Sequence, residues 1–208
     1  MEIFLRAKHW QLFLLTFGIP IIFEIALMGS LFSNIMHNPN PNPAAVLGSL
    51  KFFPLIMLLF MGTLFSWFWA VATGLQKFMP PGVNMKLTRF KVFFFIPLVY
   101  LILIMVGISV VLGSNITDIT NPAPFFIAFL IIFPLHIFSM FCIFYCLYFV
   151  AKTLKTVELQ RETSFSDFVG EFFLAWFFPI GVWILQPKIN KLMQQNALKQ
   201  PDDYPIQS

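Results

Sequence analysis

The sequence has 208 residues, of which 59% are hydrophobic and 11% charged, with 29 phenylalanines and a formal net charge of +4. A soluble domain is usually about 45–50% apolar and about 25% charged, and it could not bury this many aromatic side chains without exposing large apolar patches. The composition therefore excludes an ordinary soluble protein and predicts an integral membrane protein.

Four apolar runs are long enough to cross a bilayer as helices, which takes about 20 residues each. They cover residues 10–32, 52–75, 92–112 and 125–150. Arg6 and Lys8 precede the first run, as in a signal peptide. However, the run is too long for a signal sequence and no small-residue cleavage site follows it, so we expect a retained first helix.

A fifth apolar segment, residues 172–185, is too short to cross in the same way. At about 1.5 Å per residue it reaches about 21 Å, against about 30 Å of hydrocarbon. Pro179 interrupts it and disfavours helical backbone at Phe178, whereas Trp176 and Trp183 suit a membrane–water interface. We expect an interfacial or re-entrant segment anchored by Trp176, Pro179 and Trp183, followed by a tail over residues 186–208.

The residues before this segment predict a helix start. Thr163, Ser164 and Ser166 are candidate N-caps. Asp167 and Glu171 follow four residues apart on one face, where carboxylates favour the N-terminal end of the helix dipole. A polar ligand site on these two carboxylates is the weaker alternative.

The placement of the 13 Lys and Arg residues predicts the orientation. With four crossings and both termini cytoplasmic, all of them except Lys51 lie inside, as the positive-inside rule requires. A fifth crossing would place Lys188, Lys191 and Lys199 outside. The basic residues are spread over four segments, so their charge indicates orientation. Direct nucleic-acid binding by a cytoplasmic basic surface is the weaker interpretation; that surface comprises Lys77, Lys86, Arg89 and Lys91.

Glu24 and His136 are the strongly ionisable residues inside the four runs, and each is predicted to lie about 21 Å from the inner end of its helix. A carboxylate at mid-membrane costs about 2.5–3.5 kcal/mol on insertion scales and usually marks function. Pro20 and Pro134 lie nearby and are expected to kink their helices. The two side chains could form a titrating pair that lines a proton or ion path, or a structural hydrogen bond between helices.

The chain shows no pattern typical of an enzyme or of a metal site. Cys142 and Cys146 share one helix face, but two thiols are too few ligands for a structural metal site, and we interpret them as small residues at a helix contact. Nucleophile elbow, zinc-protease and phosphate-loop motifs are all absent from the sequence. We expect a non-enzymatic protein without a cofactor.

The stretch FFPIGVWILQPKIN at residues 177–190, with VELQR at residues 157–161, resembles the C-terminal region of small, mostly uncharacterised four-span bacterial membrane proteins. Proteins of this size and topology include a membrane accessory family encoded beside type VI-B RNA-targeting CRISPR systems. The resemblance implies a bacterial inner-membrane protein in a defence context. A related accessory type carries an Arg-to-His ribonuclease motif that this chain lacks, because Arg6 and His9 are too close together.

These patterns predict an all-α integral membrane protein: a four-helix transmembrane bundle with a short interfacial or re-entrant segment near the C-terminus, in one domain over residues 1–208. The leading function is a homo-oligomer that forms or gates a permeation path, because Glu24 and His136 share one depth and four spans are few for a solitary transporter. The alternative is an adaptor that anchors or regulates a cytoplasmic or transport partner through residues 77–91 and 153–208.

Overall fold

The computed structural model describes residues 2–37, 53–113 and 123–198, and within these residues the chain is helical with no strand. The N-terminal part contains α1 (Glu2–Arg6), α2 (His9–Phe13), a π-helical turn (Leu14–Gly18) and α3 (Ile19–His37). Next come α4 (Phe53–Gly74), a 3₁₀ turn (Gln76–Phe78) and α5 (Leu87–Gly113). The C-terminal part contains α6 (Ala123–Leu159), α7 (Phe165–Trp176) and α8 (Phe178–Leu198).

Among the described residues, four helical stretches are long and apolar enough to cross a membrane, which confirms the predicted all-α membrane fold. They are His9–His37, Phe53–Phe78, Leu87–Val110 and Phe129–Leu159. The fourth predicted run ended at residue 150, but α6 continues to Leu159. Its last turns carry polar residues that the hydropathy pattern alone does not assign to a span.

The first span changes its helical type just before Pro20. The π turn Leu14–Gly18 separates α2 from α3. Proline cannot donate the backbone hydrogen bond that would reach the carbonyl of Thr16, and π turns are one way in which a helix absorbs such a defect. Pro134, in contrast, lies within a helix that runs from Ala123 to Leu159 without a break.

The chain divides into two compact units. Unit 1 comprises Met1–Leu14, Leu64–Thr88 and Cys146–Ser208, and unit 2 comprises Leu15–Thr63 and Arg89–Tyr145. Unit 1 has a dense aromatic and aliphatic core that includes Trp67, Phe68, Leu75, Phe168, Leu185 and Ile189, all 1% exposed or less. Trp67 packs edge-on against Phe178, with ring centroids 5.0 Å apart.

Unit 2 has long stretches of exposed side chains. Every residue from 21 to 26 on α3, and every residue from 129 to 138 on α6, is exposed in the single chain. Consecutive residues point in all directions around a helix, so these stretches are uncovered on every side. They present apolar surface of the kind that lies against lipid or against another helix in a membrane.

The C-terminal hairpin, defined as α7 and α8 together, contains the predicted segment 172–185 and extends beyond it at both ends. The helix breaks at Phe177 (φ −87°, ψ 56°), one residue before the expected position. Phe178 already belongs to α8, and Pro179 lies in the first turn of that helix. The missing N–H of a proline costs nothing in a first turn, so Pro179 helps to begin α8 instead of ending a helix.

The two helices of the hairpin run antiparallel and approach closely. Leu174 faces Gly181, and further from the break Glu171 contacts Lys188 at 2.7 Å. A Cβ atom on Gly181 would overlap the carbonyl group of Leu174. The position therefore requires glycine because of this close backbone approach.

Candidate functional site

The predicted polar site in the spans is not one contact. Glu24 is exposed on α3 and His136 is exposed on α6. His136 instead shares a 3.1 Å hydrogen bond through its Nδ1 with the hydroxyl of Tyr100 on α5. Within residues 2–37, 53–113 and 123–198, neither an ion pair nor a hydrogen bond joins Glu24 to His136. Equal depth fixes the height of a side chain along its helix but not the direction in which it points.

Tyr100 was missed as a member of this group. It is 7% exposed and lies in an otherwise apolar run. A buried tyrosine hydroxyl usually finds a hydrogen-bond partner, and this is the signal that could have identified it. The two thiols predicted to pack at a helix contact, Cys142 and Cys146, are both buried. No group of three His, Cys, Asp or Glu side chains suited to a metal ion occurs among the described residues.

Gln186 is the centre of a buried polar network in unit 1. Its side chain is fully buried, and its Oε1 accepts a 2.8 Å hydrogen bond from the indole N–H of Trp67. Its Nε2 donates to the carbonyls of Phe4 and Ala7, at 2.9 Å each. These carbonyls lie at the C-terminal end of α1, where helical carbonyls lack partners within the helix. A single glutamine thus ties α4 and α8 to the N-terminal helix.

Two further contacts hold the N-terminal helix in place. Asn190, one turn beyond Gln186, donates to the carbonyl of Ala7 at 3.1 Å. Leu5 packs against Gly74 so closely that a Cβ atom there would meet the Leu5 side chain. The sequence pattern shows neither contact, because Asn190 is 183 positions from Ala7 and Gly74 is 69 positions from Leu5.

Four charged side chains form a closed ion-pair square between α6, α7 and α8. Lys155 lies 3.0 Å from Glu158 and 3.1 Å from Glu171, and Lys188 lies 2.7 Å from both carboxylates. Each cation therefore sits between two anions, and the square is electrically neutral. The Glu171 side chain is only 10% exposed, so its charge depends on these partners.

Glu171 was predicted as a dipole-favouring carboxylate, but its main contacts are with distant lysines. Burial acts to raise its pKa, yet hydrogen bonds from Lys188, from its own backbone N–H and from Lys155 outweigh that effect and hold the pKa below its ordinary value. Because the folded-state pKa is lowered, the stability that this carboxylate contributes is present above its ordinary pKa and is lost as the pH falls through the lowered value. Glu171 is therefore ionised at neutral pH.

Asp167 secures the start of the hairpin, as its position predicted. Ser164 is the N-cap of α7, and its backbone N–H donates to Asp167 Oδ2 at 2.9 Å. Arg161 donates to Asp167 Oδ1 at 2.8 Å. The hydrogen bond from Arg161, followed by those from Ser164, lowers the pKa of Asp167 to about 2, so the clamp between Arg161 and Asp167 stays charged across the physiological range.

The opposite end of the hairpin is apolar and exposed. Trp176 and Trp183, the predicted interfacial anchors, are 47% and 46% exposed, and Ile180, next to Pro179, is 68% exposed. Phe173, Phe177 and Ile184 continue the same exposed surface. The hairpin thus has an apolar end near its break and charged residues further along both helices, a distribution typical of a segment in contact with a membrane.

The residues of the predicted basic surface lie on two segments of the chain, with Lys77 at the end of the second span and the other three between residues 86 and 91. Lys77 contacts Glu2 at 3.6 Å and lines a cavity of about 460 Å³ with Arg6 and Lys8. Lys86, Arg89 and Lys91 are exposed. The sequence assigned Arg6 and Lys8 only an orientation role, because their distance in sequence from Lys77 hides the shared cavity.

Replacement of Lys188 by methionine should destabilise the protein by about 2 kcal/mol. Breaking a fully buried ion pair costs about 3–5 kcal/mol, and the Lys188 side chain is 24% exposed. Two carboxylates would then share Lys155 alone. Thermal unfolding in detergent measures the effect, and Lys191→Met, an exposed lysine on the same helix, is the matched control. The double variant Glu171→Gln/Lys188→Met should lose less than the sum of the single changes. Equal stability of Lys188→Met and Lys191→Met would contradict a stabilising square.

Comparison with protein-family models, with curated proteins and with solved structures finds no match for this chain.

Proposed function

We propose that this chain is a non-enzymatic membrane protein that assembles with copies of itself and forms or gates a permeation path. The observation that carries the proposal is the exposure of Glu24 in the first span, within a stretch that no other described part of the chain covers. An ionised carboxylate facing hydrocarbon costs about 2.5–3.5 kcal/mol on insertion scales. A second copy that covers α3, with water on the side of Glu24, removes this cost.

The contact between His136 and Tyr100 supports the same proposal. Both side chains lie in spans, and their hydrogen bond leaves the second imidazole nitrogen available for water or for a neighbouring subunit. Titratable groups inside membrane segments commonly line ion or proton pathways. In this proposal Glu24 and His136 contribute to the path from two different helices without touching each other.

The experiment begins with the mass of the purified particle, measured by multi-angle light scattering with the detergent subtracted. A multiple of 24.0 kDa is expected, and a monomer would overturn the proposal. Proton flux into liposomes that contain a pH-sensitive dye then tests the path. Glu24→Gln should alter the flux, whereas Met28→Leu, one turn along the same face and also exposed, should not.

An adaptor that anchors or regulates a partner complex is the alternative function. The exposure of Lys86, Arg89 and Lys91 supports it, because exposed cations favour association with acidic partners. An adaptor tolerates Glu24→Gln but loses its partner on Lys86→Glu. The defence context implied by the resemblance belongs to this proposal as a prediction, as do the bacterial inner membrane and the cytoplasmic termini.

A further inference from the structure

The cavity of about 460 Å³ in unit 1 combines three cations with an apolar wall. Arg6, Lys8 and Lys77 supply the charge, and Leu5, Phe78 and Met193 supply the wall. A pocket of this size falls within the range that small-molecule ligands occupy, about 300–1,000 Å³. Its mixed lining suits a ligand with an anionic group and an apolar portion.

The cavity is held in shape by buried contacts. Gln186 and Asn190 both donate hydrogen bonds to the carbonyl of Ala7, the residue between Arg6 and Lys8 in sequence. Leu5 packs against Gly74. Lys77 follows three residues later along the chain. The docking of the N-terminal helix therefore brings the three cations together, although like charges repel one another.

The charges around the cavity do not cancel. Glu2 lies 3.2 Å from Arg6 and 3.6 Å from Lys77, so one carboxylate opposes three cations. Within the described part of the chain, the ammonium of Lys8 has no ion-pair partner. The cavity thus has an excess of positive charge, which an anion would compensate.

The position of the cavity points to the source of that anion. Lys77 and Phe78 end the second span, and Lys8 directly precedes the first span. Trp10 and Trp183 are 45% and 46% exposed. Trp10 is two residues from Lys8 in sequence, and the ring of Trp183 lies 4.7 Å from that of His9. Tryptophans and span ends mark the depth of the lipid headgroups.

We propose that this cavity binds the phosphate of an anionic phospholipid, with Arg6, Lys8 and Lys77 around the headgroup and an acyl chain along Phe78. Basic pockets beside the ends of transmembrane helices are suited to anionic headgroups. A free phosphate would use the cations but would leave the apolar wall without a ligand. The site does not depend on the permeation path, because its residues lie outside the stretches that carry Glu24 and His136.

Native mass spectrometry of the full-length protein in detergent tests the proposal, with phosphatidylglycerol, phosphatidylcholine and inorganic phosphate as the three probes. We expect retention of phosphatidylglycerol but not of phosphatidylcholine. The exposed pair Lys8→Gln/Lys77→Gln should weaken this binding about thirtyfold. Each basic residue near an anionic headgroup contributes about 1 kcal/mol, and about 1.4 kcal/mol is a factor of ten.

Two matched variants separate the site from general attraction. Lys86→Gln/Arg89→Gln removes the same charge from exposed positions outside the cavity and should retain the lipid, as should Lys8→Arg/Lys77→Arg. Equal loss in both glutamine pairs would show adsorption by net charge and would overturn the site. Binding of inorganic phosphate without phosphatidylglycerol would overturn the lipid as ligand, and so would equal binding of the two lipids.

Discussion

Replacement of Gln186 by alanine should destabilise the protein by about 3–5 kcal/mol. A buried polar group left without its partner costs about 1–3 kcal/mol, and this change leaves several such groups without a partner. The indole N–H of Trp67 loses its acceptor, and the carbonyls of Phe4 and Ala7 lose their donor. The thermal unfolding midpoint in detergent should fall clearly. Limited proteolysis should also cut near the N-terminus, where α1 would no longer be held.

The control for Gln186 is Gln195→Ala on the same helix, at an exposed position, which should leave the unfolding midpoint unchanged. A double-mutant cycle with Trp67→Phe isolates the indole hydrogen bond, since phenylalanine has no N–H to satisfy. The two changes together should cost less than their sum. Strict additivity would show that the contact between Trp67 and Gln186 contributes nothing to stability.

Replacement of Gly181 by alanine should open the hairpin between α7 and α8. A Cβ atom at this position would overlap the carbonyl of Leu174, and backbone atoms cannot rotate away as a side chain can. We expect a loss of about 3 kcal/mol or more, at or above the upper end of the usual range for overpacking. Separation of the helices would also pull Glu171 from Lys188 and weaken the ion-pair square.

Gly170→Ala is the matched control for Gly181→Ala. Gly170 lies in α7, and a Cβ atom there would meet nothing within 4 Å. Because alanine favours a helix interior over glycine by about 0.5–1 kcal/mol, this variant should be slightly more stable than the parent. The fluorescence of Trp176 and Trp183 reports the hairpin in both variants. An unfolding midpoint for Gly181→Ala that equals that of Gly170→Ala would show that the two helices can separate without cost.

The two variants affect different parts of unit 1. Gln186→Ala releases the N-terminal helix, and with it Arg6 and Lys8 at the cavity, while the contact between Leu174 and Gly181 is kept. Gly181→Ala disturbs the hairpin first. If the cavity binds an anionic lipid, Gln186→Ala should therefore also weaken lipid retention, although it changes no charge.

The sequence by itself determined the membrane class and the four helices, among the described residues, that are long and apolar enough to cross a membrane. These properties depend on the density of apolar residues within a segment and on the length of that segment. Both can be read from residues that are neighbours in sequence. The start of α7 was equally local, since Ser164 and Asp167 cap a helix through contacts only three residues apart. The break near Pro179 was local as well, although it fell at Phe177 because proline is accepted in the first turn of α8.

Only the tertiary structure decided which side chains meet. Depth along two helices placed Glu24 beside His136, but the direction of a side chain also depends on how each helix is rotated, and His136 is bonded to Tyr100 instead. The contacts of Gln186, Lys188 and Gly181 carried no sequence signal, because their partners lie far away in sequence or on the facing helix. Arg6, Lys8 and Lys77 likewise became one cavity only when Gln186 docked the N-terminal helix. Composition fixes what a segment can bury, whereas packing fixes the partner against which it is buried.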